Sequence, residues 1–406
     1  MVKLLKRGLK KIKQLVKPFI KKQVKRIQQK EKLPQITNYT DSRSALSLYH
    51  VSAFDYGNAG DVLLPIVLQD TWQNGVGKIN WENQQIHPAV DFDLVTKINN
   101  SNGLVIGGGG LFLKDTNAND ISGWQWPCST EMLAKIKVPI VFYAVGYNRF
   151  RGQDEFEPFF KDNIQAFAEK AVYIGLRNSG SINALKNYLP EALHKKLRFQ
   201  PCMTTFISRL YDKDFDFDTK ENFIAFNAAF DRSHLRFGEN IGSILSDTTK
   251  VLKELSVIMP IKFYSHIPSD EAILPFLQSY NVPYELVKLN KKHPKTIIEA
   301  YAKPKLVIGM RGHAQMIPFG CKTPIISIVS HNKMQWFLDD IDKPEWGVDV
   351  LSSTYMEDLK LKVLDSLANT KDNISFITEK QKELYEVSLR NVSDGIAAIK
   401  LKNAYE

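Results

Sequence analysis

From Leu48 onward, short apolar runs alternate with segments whose apolar residues recur every three or four positions. Candidate strands are Leu48–Val51, Gly103–Ile106, Ile140–Ala144 and Val172–Gly175, with helical patterns such as Asp61–Trp72 and Asp162–Lys170 between them. Such alternation indicates βαβ units and a mostly parallel sheet. An acidic, loop-like stretch, Leu210–Asn222 (LYDKDFDFDTKEN), interrupts it. The alternation then restarts with candidate strands Phe223–Asn227, Ile261–Ser265, Leu306–Ile308 and Pro324–Ile328. Helices are expected at Ile241–Leu255, Ala272–Tyr280 and Lys295–Ala302. Residues 356–406 read as further helices, placed to cross back onto the first domain. The pattern therefore predicts an α/β protein of two doubly wound, Rossmann-like domains, 48–212 and 213–355, facing a cleft. In such sheets ligands gather beyond the carboxyl ends of strands, which makes the cleft the expected site.

The N-terminus follows a different pattern. In residues 1–32, Leu5, Leu9, Ile12, Leu15, Val16, Phe19, Ile20, Val24 and Ile27 recur at helical spacing with lysines on the other face, and Pro18 interrupts them. This predicts a basic amphipathic helix, joined to the body by a polar linker over 33–47. Charge sharpens the picture. The whole chain is +10, but residues 1–32 hold thirteen basic residues and one acid, net +12. The remaining 41 basic and 43 acidic residues leave the body at −2. A basic face on the body is thus not indicated, which argues against nucleic acid as a partner. The arm suits an anionic membrane surface, with a solvated tail and nucleic-acid contact as the other readings. No run of about eighteen apolar residues and no secretory leader is evident. Three scattered cysteines, Cys128, Cys202 and Cys321, suggest neither a disulfide framework nor a zinc site. Together these readings place the chain in the cytoplasm, peripheral on the inner face of the cell membrane.

Four segments carry candidate chemistry. Asp55-Tyr-Gly-Asn-Ala-Gly-Asp61 follows the first strand and opens a helix. Asp61 can cap that helix, or its free amides can face an anion. Val105-Ile-Gly-Gly-Gly-Gly-Leu-Phe112 places four glycines after a strand, where side chains would obstruct something. It is neither a phosphate-binding P-loop nor a dinucleotide fingerprint. In Tyr173-Ile-Gly-Leu-Arg-Asn-Ser-Gly-Ser181, Arg177 ends a strand and Ser179 or Ser181 can cap the next helix, Ile182–Tyr188. The strongest is Leu306-Val-Ile-Gly-Met-Arg-Gly-His-Ala-Gln-Met-Ile-Pro-Phe-Gly320, where a strand runs into Arg311 and His313. Arginine's fork grips a carboxylate or phosphate, and histidine can exchange a proton near neutral pH. A structural histidine at a helix start is the plainer reading. His331, Asn332, Lys333 and Trp336 follow the last strand and can line the same cleft. Neither a GxSxG elbow nor a distinct carboxylate pair stands out.

These four pieces, in this order, resemble the polysaccharide pyruvyl transferase family across roughly residues 48–345. The resemblance implies a GT-B-like fold and transfer of a pyruvyl group from phosphoenolpyruvate to sugar hydroxyls, usually as a cyclic ketal. The family's Asn-x-Gly-Asp element corresponds to Asn58, Gly60 and Asp61, and its glycine-rich element to Gly107–Gly110, with Gly108 and Gly109 at its centre. A donor-binding arginine corresponds to Arg177, and an Arg-x-His element to Arg311, Gly312 and His313. By this resemblance Arg177, Arg311, Gly312, Asn58, Gly108, Gly109 and His331 bind substrates. His313 serves as proton donor or phosphate contact, and Asp61 as base. No cofactor or metal is implied beyond phosphoenolpyruvate as co-substrate. The acceptor is expected to be a glycan of a bacterial surface polysaccharide or its lipid-linked repeat. The competing readings are a nucleotide-sugar glycosyltransferase of the same fold and a non-enzymatic glycan-binding protein.

Overall fold

The computed structural model describes residues 46–54 and 57–405; the basic arm and nearly all of the linker lie outside these residues. Two six-stranded sheets form one body. The first contains β1 (Ser47–Ser52), β2 (Asn80–Gln85), β3 (Gly103–Phe112), β4 (Ile140–Tyr147), β5 (Tyr173–Leu176) and β6 (Leu197–Phe199). Its order is β2-β1-β3-β4-β5-β6. The second contains β7 (Glu221–Asn227), β8 (Ile261–Ser265), β9 (Tyr284–Lys288), β10 (Pro304–Gly309), β11 (Ile325–Val329) and β12 (Gly347–Asp349), in the order β12-β11-β10-β7-β8-β9. Every strand pairing is parallel.

Helices cover both faces of each sheet, so the inner strands are mostly apolar. All eight residues of β4, Ile-Val-Phe-Tyr-Ala-Val-Gly-Tyr, are buried. Phe112, Trp124, Phe142 and Phe167 meet largely edge-to-face or tilted in the core of the first lobe. Chain order reverses between β1 and β3 in the first sheet and between β7 and β10 in the second. Those reversals open crevices at the carboxyl ends of the strands, and they are where ligands bind in doubly wound folds.

Strand β3 does not stop at Ile106 as the sequence suggests. It continues through the glycines to Phe112, paired with β4. The glycines allow this passage: Gly108 and Gly109 have φ of 73° and 130°, and a Cβ at Gly107 would lie 2.3 Å from the Tyr143 carbonyl oxygen. The long C-terminal helix, Thr370–Tyr405, packs mainly on the first lobe. Ser388 meets the Tyr143 hydroxyl at 2.7 Å, and Asn391 Nδ2 donates to the Phe199 carbonyl at 2.9 Å. Gln381 reaches the second lobe by donating to the Phe319 carbonyl. Among the described residues, no helix is long and apolar enough to cross a membrane.

Candidate active site

A cavity of about 270 Å³ lies between the two crevices. From the first lobe it receives Asn58 and Asp61 after β1, Gly109 and Gly110 of β3, and Arg177 after β5. From the second it receives Asp231, Arg232 and Arg236 after β7, His266 after β8, and Arg311, Gly312 and His313 after β10. Lys333 joins them from the helix Asn332–Asp340 that follows β11.

The helix Ala59–Val76 starts two residues earlier than expected. Asn58 caps it, accepting from Gly60 N at 3.0 Å, and Asp61 sits in its first turn. Asp61 is therefore not the cap and turns to the cavity instead. Gly60 lets the lobes approach closely at the site, since a Cβ there would fall 2.2 Å from His313 Nδ1. A similar correction applies after β5. Asn178, not Ser179 or Ser181, caps the helix Ser179–Lys186, accepting from Ser181 N at 2.7 Å. Ser181 Oγ accepts from Tyr147 N, while Ser179 reaches across to Asp340 in the second lobe.

The two motif arginines occupy different electrical settings. Arg311 is already paired. Its Nε donates to both oxygens of Asp270 at 2.9 and 3.0 Å, and its Nη2 binds Asp270 and, at 2.8 Å, Asp231. Burial opposes its charge, but the two carboxylates outweigh burial and raise its pKa. Asp270 is fully buried and also receives the backbone N–H groups of His266 and Ile267. Arg311 is thus structural ballast for the crevice as well as a cavity wall. Arg177 is the reverse case. It is 5% exposed, its Nη2 donates to Asn148 Oδ1 at a long 3.3 Å, and its Nε is buried with no hydrogen-bond partner. Burial pulls its pKa down, with Cys202 and Asp61 opposing. Gly146 and Gly110 make room for it: a Cβ at Gly146 would lie 2.3 Å from its Nε.

His313 begins the helix His313–Gly320, with Cys202 Sγ 4.0 Å from its Nε2. Burial, then Arg177, His266 and Lys333, push its pKa well below 6.5, so its imidazole is neutral. Burial, then Arg177 and Arg236, likewise press Lys333 toward losing its proton, with Asp231 opposing. Asp231 is held strongly as a carboxylate; burial works against this, but Arg236, Arg311 and Lys333 prevail. Cations therefore crowd this end of the cavity beyond what its carboxylates balance locally at Arg177 and Lys333.

Two expected ligands of substrate lie elsewhere. His331 is outside the cavity wall, where its Nδ1 accepts from Lys333 N at 3.1 Å and caps the helix carrying Lys333. Its ring packs on Phe150, centroids 4.1 Å apart. Gly108 also lies outside the wall and serves the close packing of β3 on Leu64. Sequence reasoning passed over Asp231, Arg232, Arg236 and His266. Each follows the carboxyl end of β7 or β8, and that position was the available signal.

Two parallel, doubly wound sheets joined across such a cleft define a GT-B-type fold. Among solved structures, the chain is similar to the UDP-GlcNAc 2-epimerase of Neisseria meningitidis. The TM-score is 0.50 at 9% identity, covering 88% of this chain and 99% of that one. It is similar to the same degree (TM-score 0.50, 9% identity) to a Polygonum tinctorium UDP-glucosyltransferase, covering 89% and 100% of the two chains. At such identity the likeness is one of fold. The chain belongs to the polysaccharide pyruvyl transferase family, whose sequence model matches residues 9–332. No curated protein matches it significantly.

Proposed function

We propose that the protein transfers the pyruvyl group of phosphoenolpyruvate to two hydroxyls of one sugar in a bacterial surface polysaccharide or its lipid-linked repeat. The observation that carries this reading is Arg177, a buried guanidinium with an unpartnered Nε, facing a cavity shared with His313 and Lys333. An unpaired buried donor costs about 1–3 kcal/mol, so an anion is the natural partner for it. Phosphoenolpyruvate brings a carboxylate and a phosphate on a small frame; Arg177 offers a guanidinium, and Lys333, pressed toward losing its proton by burial and the arginines, takes up the ammonium form as the donor's charge arrives. Arg311 contributes field and shape rather than a free fork.

In this reaction C3 of the donor gains a proton and a sugar oxygen bonds to C2. The bond from C2 to the phosphate oxygen then breaks, releasing inorganic phosphate. The second hydroxyl bonds to C2 and loses its proton, closing the ketal. The two hydroxyl protons end on C3 and on phosphate. His313, held neutral by burial and by Arg177, His266 and Lys333, becomes an acid only once the donor's charge arrives. A unit negative charge 4 Å away contributes about 4 kcal/mol at an effective dielectric constant of 20, equivalent to roughly three pKa units upward. Asp61, in the same cavity wall, takes a hydroxyl proton in this reading. The basic arm fits delivery to an acceptor at an anionic membrane surface, and no cofactor beyond the co-substrate is invoked.

The test is donor consumption. Full-length protein with a membrane extract containing lipid-linked glycan should release phosphate from phosphoenolpyruvate and add a pyruvyl ketal to the glycan, read by mass spectrometry. Consumption of a nucleotide sugar with phosphoenolpyruvate untouched would instead establish a glycosyltransferase.

A further inference from the structure

Charge is not spread evenly over the cavity. Arg177, Asp61, Lys333, Arg311 and Asp231 belong to the His313 end. The wall built after β2 and β3 presents His87, Leu111, Leu113, Thr116 and Gln125, with no carboxylate, ammonium or guanidinium among them. At its rim Arg232 is neutralised by Asp115, its Nε donating to Asp115 Oδ2 at 2.7 Å.

This wall is built rather than incidental. Asn117 Nδ2 donates to the carbonyls of both His87, at 2.9 Å, and Gln125, at 3.0 Å. Asn119 Nδ2 in turn holds the carbonyls of Asn117 and Trp124 at 2.8 and 2.7 Å. Gln125 Nε2 donates to the Gly110 carbonyl at 3.0 Å, so its amide orientation is fixed by chemistry. Its Oε1 then lies 3.2 Å from His87 Nε2, which must be the donor. With Nε2 donating, the ring's other nitrogen, Nδ1, is the one left to meet a ligand. Thr116 Oγ1 accepts from Arg232 Nη2 at 2.9 Å, which leaves the hydroxyl its own proton to give. His87 Nδ1, one hydroxyl donor and the apolar faces of Leu111 and Leu113 therefore share a wall whose contacting cation, Arg232, is already paired with Asp115.

We propose that this wall is an acceptor subsite for an uncharged sugar ring. One hydroxyl donates to His87 Nδ1, another accepts from Thr116, and the ring's C–H face rests on the leucines. The inference deepens the pyruvyl-transfer reading and rests on it for the donor's position. A charged sugar fits poorly. Arg232, which touches this wall through Thr116, is already paired with Asp115 and Asp231, and at the other end a carboxylate competes with the donor for Arg177 and Lys333.

The experiment uses full-length protein and a panel of p-nitrophenyl hexosides with the matching hexuronides. Saturation-transfer NMR measures sugar binding, and calorimetry measures phosphoenolpyruvate binding. At least one uncharged hexoside should bind the wild type. His87→Ala should weaken it about five- to tenfold, the scale of one lost hydrogen bond. Thr116→Val, a near-isosteric change at an exposed position, should weaken it by a similar factor. Phosphoenolpyruvate affinity should stay within about twofold in both variants, which also reports that they are folded. The proposal is overturned if no hexoside binds, if only hexuronides bind, or if neither substitution changes hexoside affinity. Absence of phosphoenolpyruvate binding to the wild type overturns the donor reading instead, and the sugar measurements then decide the subsite alone.

Discussion

Arg177 and Arg236 are the same residue type, 5% and 4% exposed, within one cavity wall, and they should respond oppositely to replacement by methionine. Arg236 is satisfied. It reaches Asp231 at 3.1 Å and the Asp231 carbonyl at 2.9 Å, and it donates to Ser330 Oγ at 2.9 Å. Removing one member of a buried ion pair costs about 3–5 kcal/mol, because Asp231 loses a counter-charge. Arg177 holds only the 3.3 Å bond to Asn148 while Nε remains unpartnered. Methionine keeps most of its stem, so the lost bond, about 0.5–1.5 kcal/mol, is offset by the removed penalty of about 1–3 kcal/mol. Arg177→Met should therefore leave the urea midpoint unchanged or slightly raised, whereas Arg236→Met lowers it clearly. In the same Arg177→Met protein, phosphoenolpyruvate affinity by calorimetry should fall about 10- to 150-fold, the scale of one charged hydrogen bond of about 1.5–3 kcal/mol. A loss of more than about 3 kcal/mol of stability from Arg177→Met, with donor affinity intact, would refute the reasoning and make Arg177 a structural residue.

Three further outcomes follow from named contacts. Burial lowers the pKa of His50 to about 4 and of His266 to about 3, and holds His313 and His331 well below 6.5. The unfolded chain therefore takes up protons below pH 6.5 that the folded chain refuses. Stability present at pH 7.5 should fall through pH 6.5 toward 4, at up to about 1.4 kcal/mol per pH unit for each histidine; equal urea midpoints at pH 7.5 and 5 would contradict the buried neutral rings. Asp270→Ala leaves Arg311 with Asp231 as its remaining carboxylate and should cost about 3–5 kcal/mol, measured by urea denaturation. Gly60→Ala pushes a methyl into His313 and should lower turnover about 10²-fold, since small misplacements at a reacting centre cost that much, while the protein remains folded by circular dichroism.

The eight strands legible in the sequence, β1, β3, β4, β5, β7, β8, β10 and β11, are the inner strands of the two sheets. The four that escaped notice, β2, β6, β9 and β12, are the four sheet edges. The physical reason is burial. An inner strand covered on both faces must be apolar at almost every position, as β4 is, and such a run stands out. An edge strand needs only one neighbour: β2 reads Asn-Trp-Glu-Asn-Gln-Gln and is mostly solvent-accessible. β6 and β12 span three residues each, too few for any periodicity.

The site was legible for the same topological reason and illegible for an electrostatic one. Asn58, Asp61, Gly109, Arg177, Arg311, Gly312 and His313 line one cavity because each lies at or just beyond the carboxyl end of an inner strand, and inner strands are what the pattern reveals. Pairing is not encoded that way. Arg311 looked like the stronger anion ligand beside His313, yet its fork is taken by Asp231 and Asp270, which arrive from the ends of β7 and β8. Arg177 looked like one arginine among many, yet Asn148 is its only hydrogen-bond partner in the described structure and its Nε has none. A guanidinium's availability depends on which carboxylates the fold brings within 4 Å, and those lie tens of residues away in sequence. Once pairing is known, the ranking of the two arginines reverses. In the proposed reading the anion is met by Arg177 and Lys333 around His313, while Arg311, held by Asp231 and Asp270, keeps the second crevice in shape.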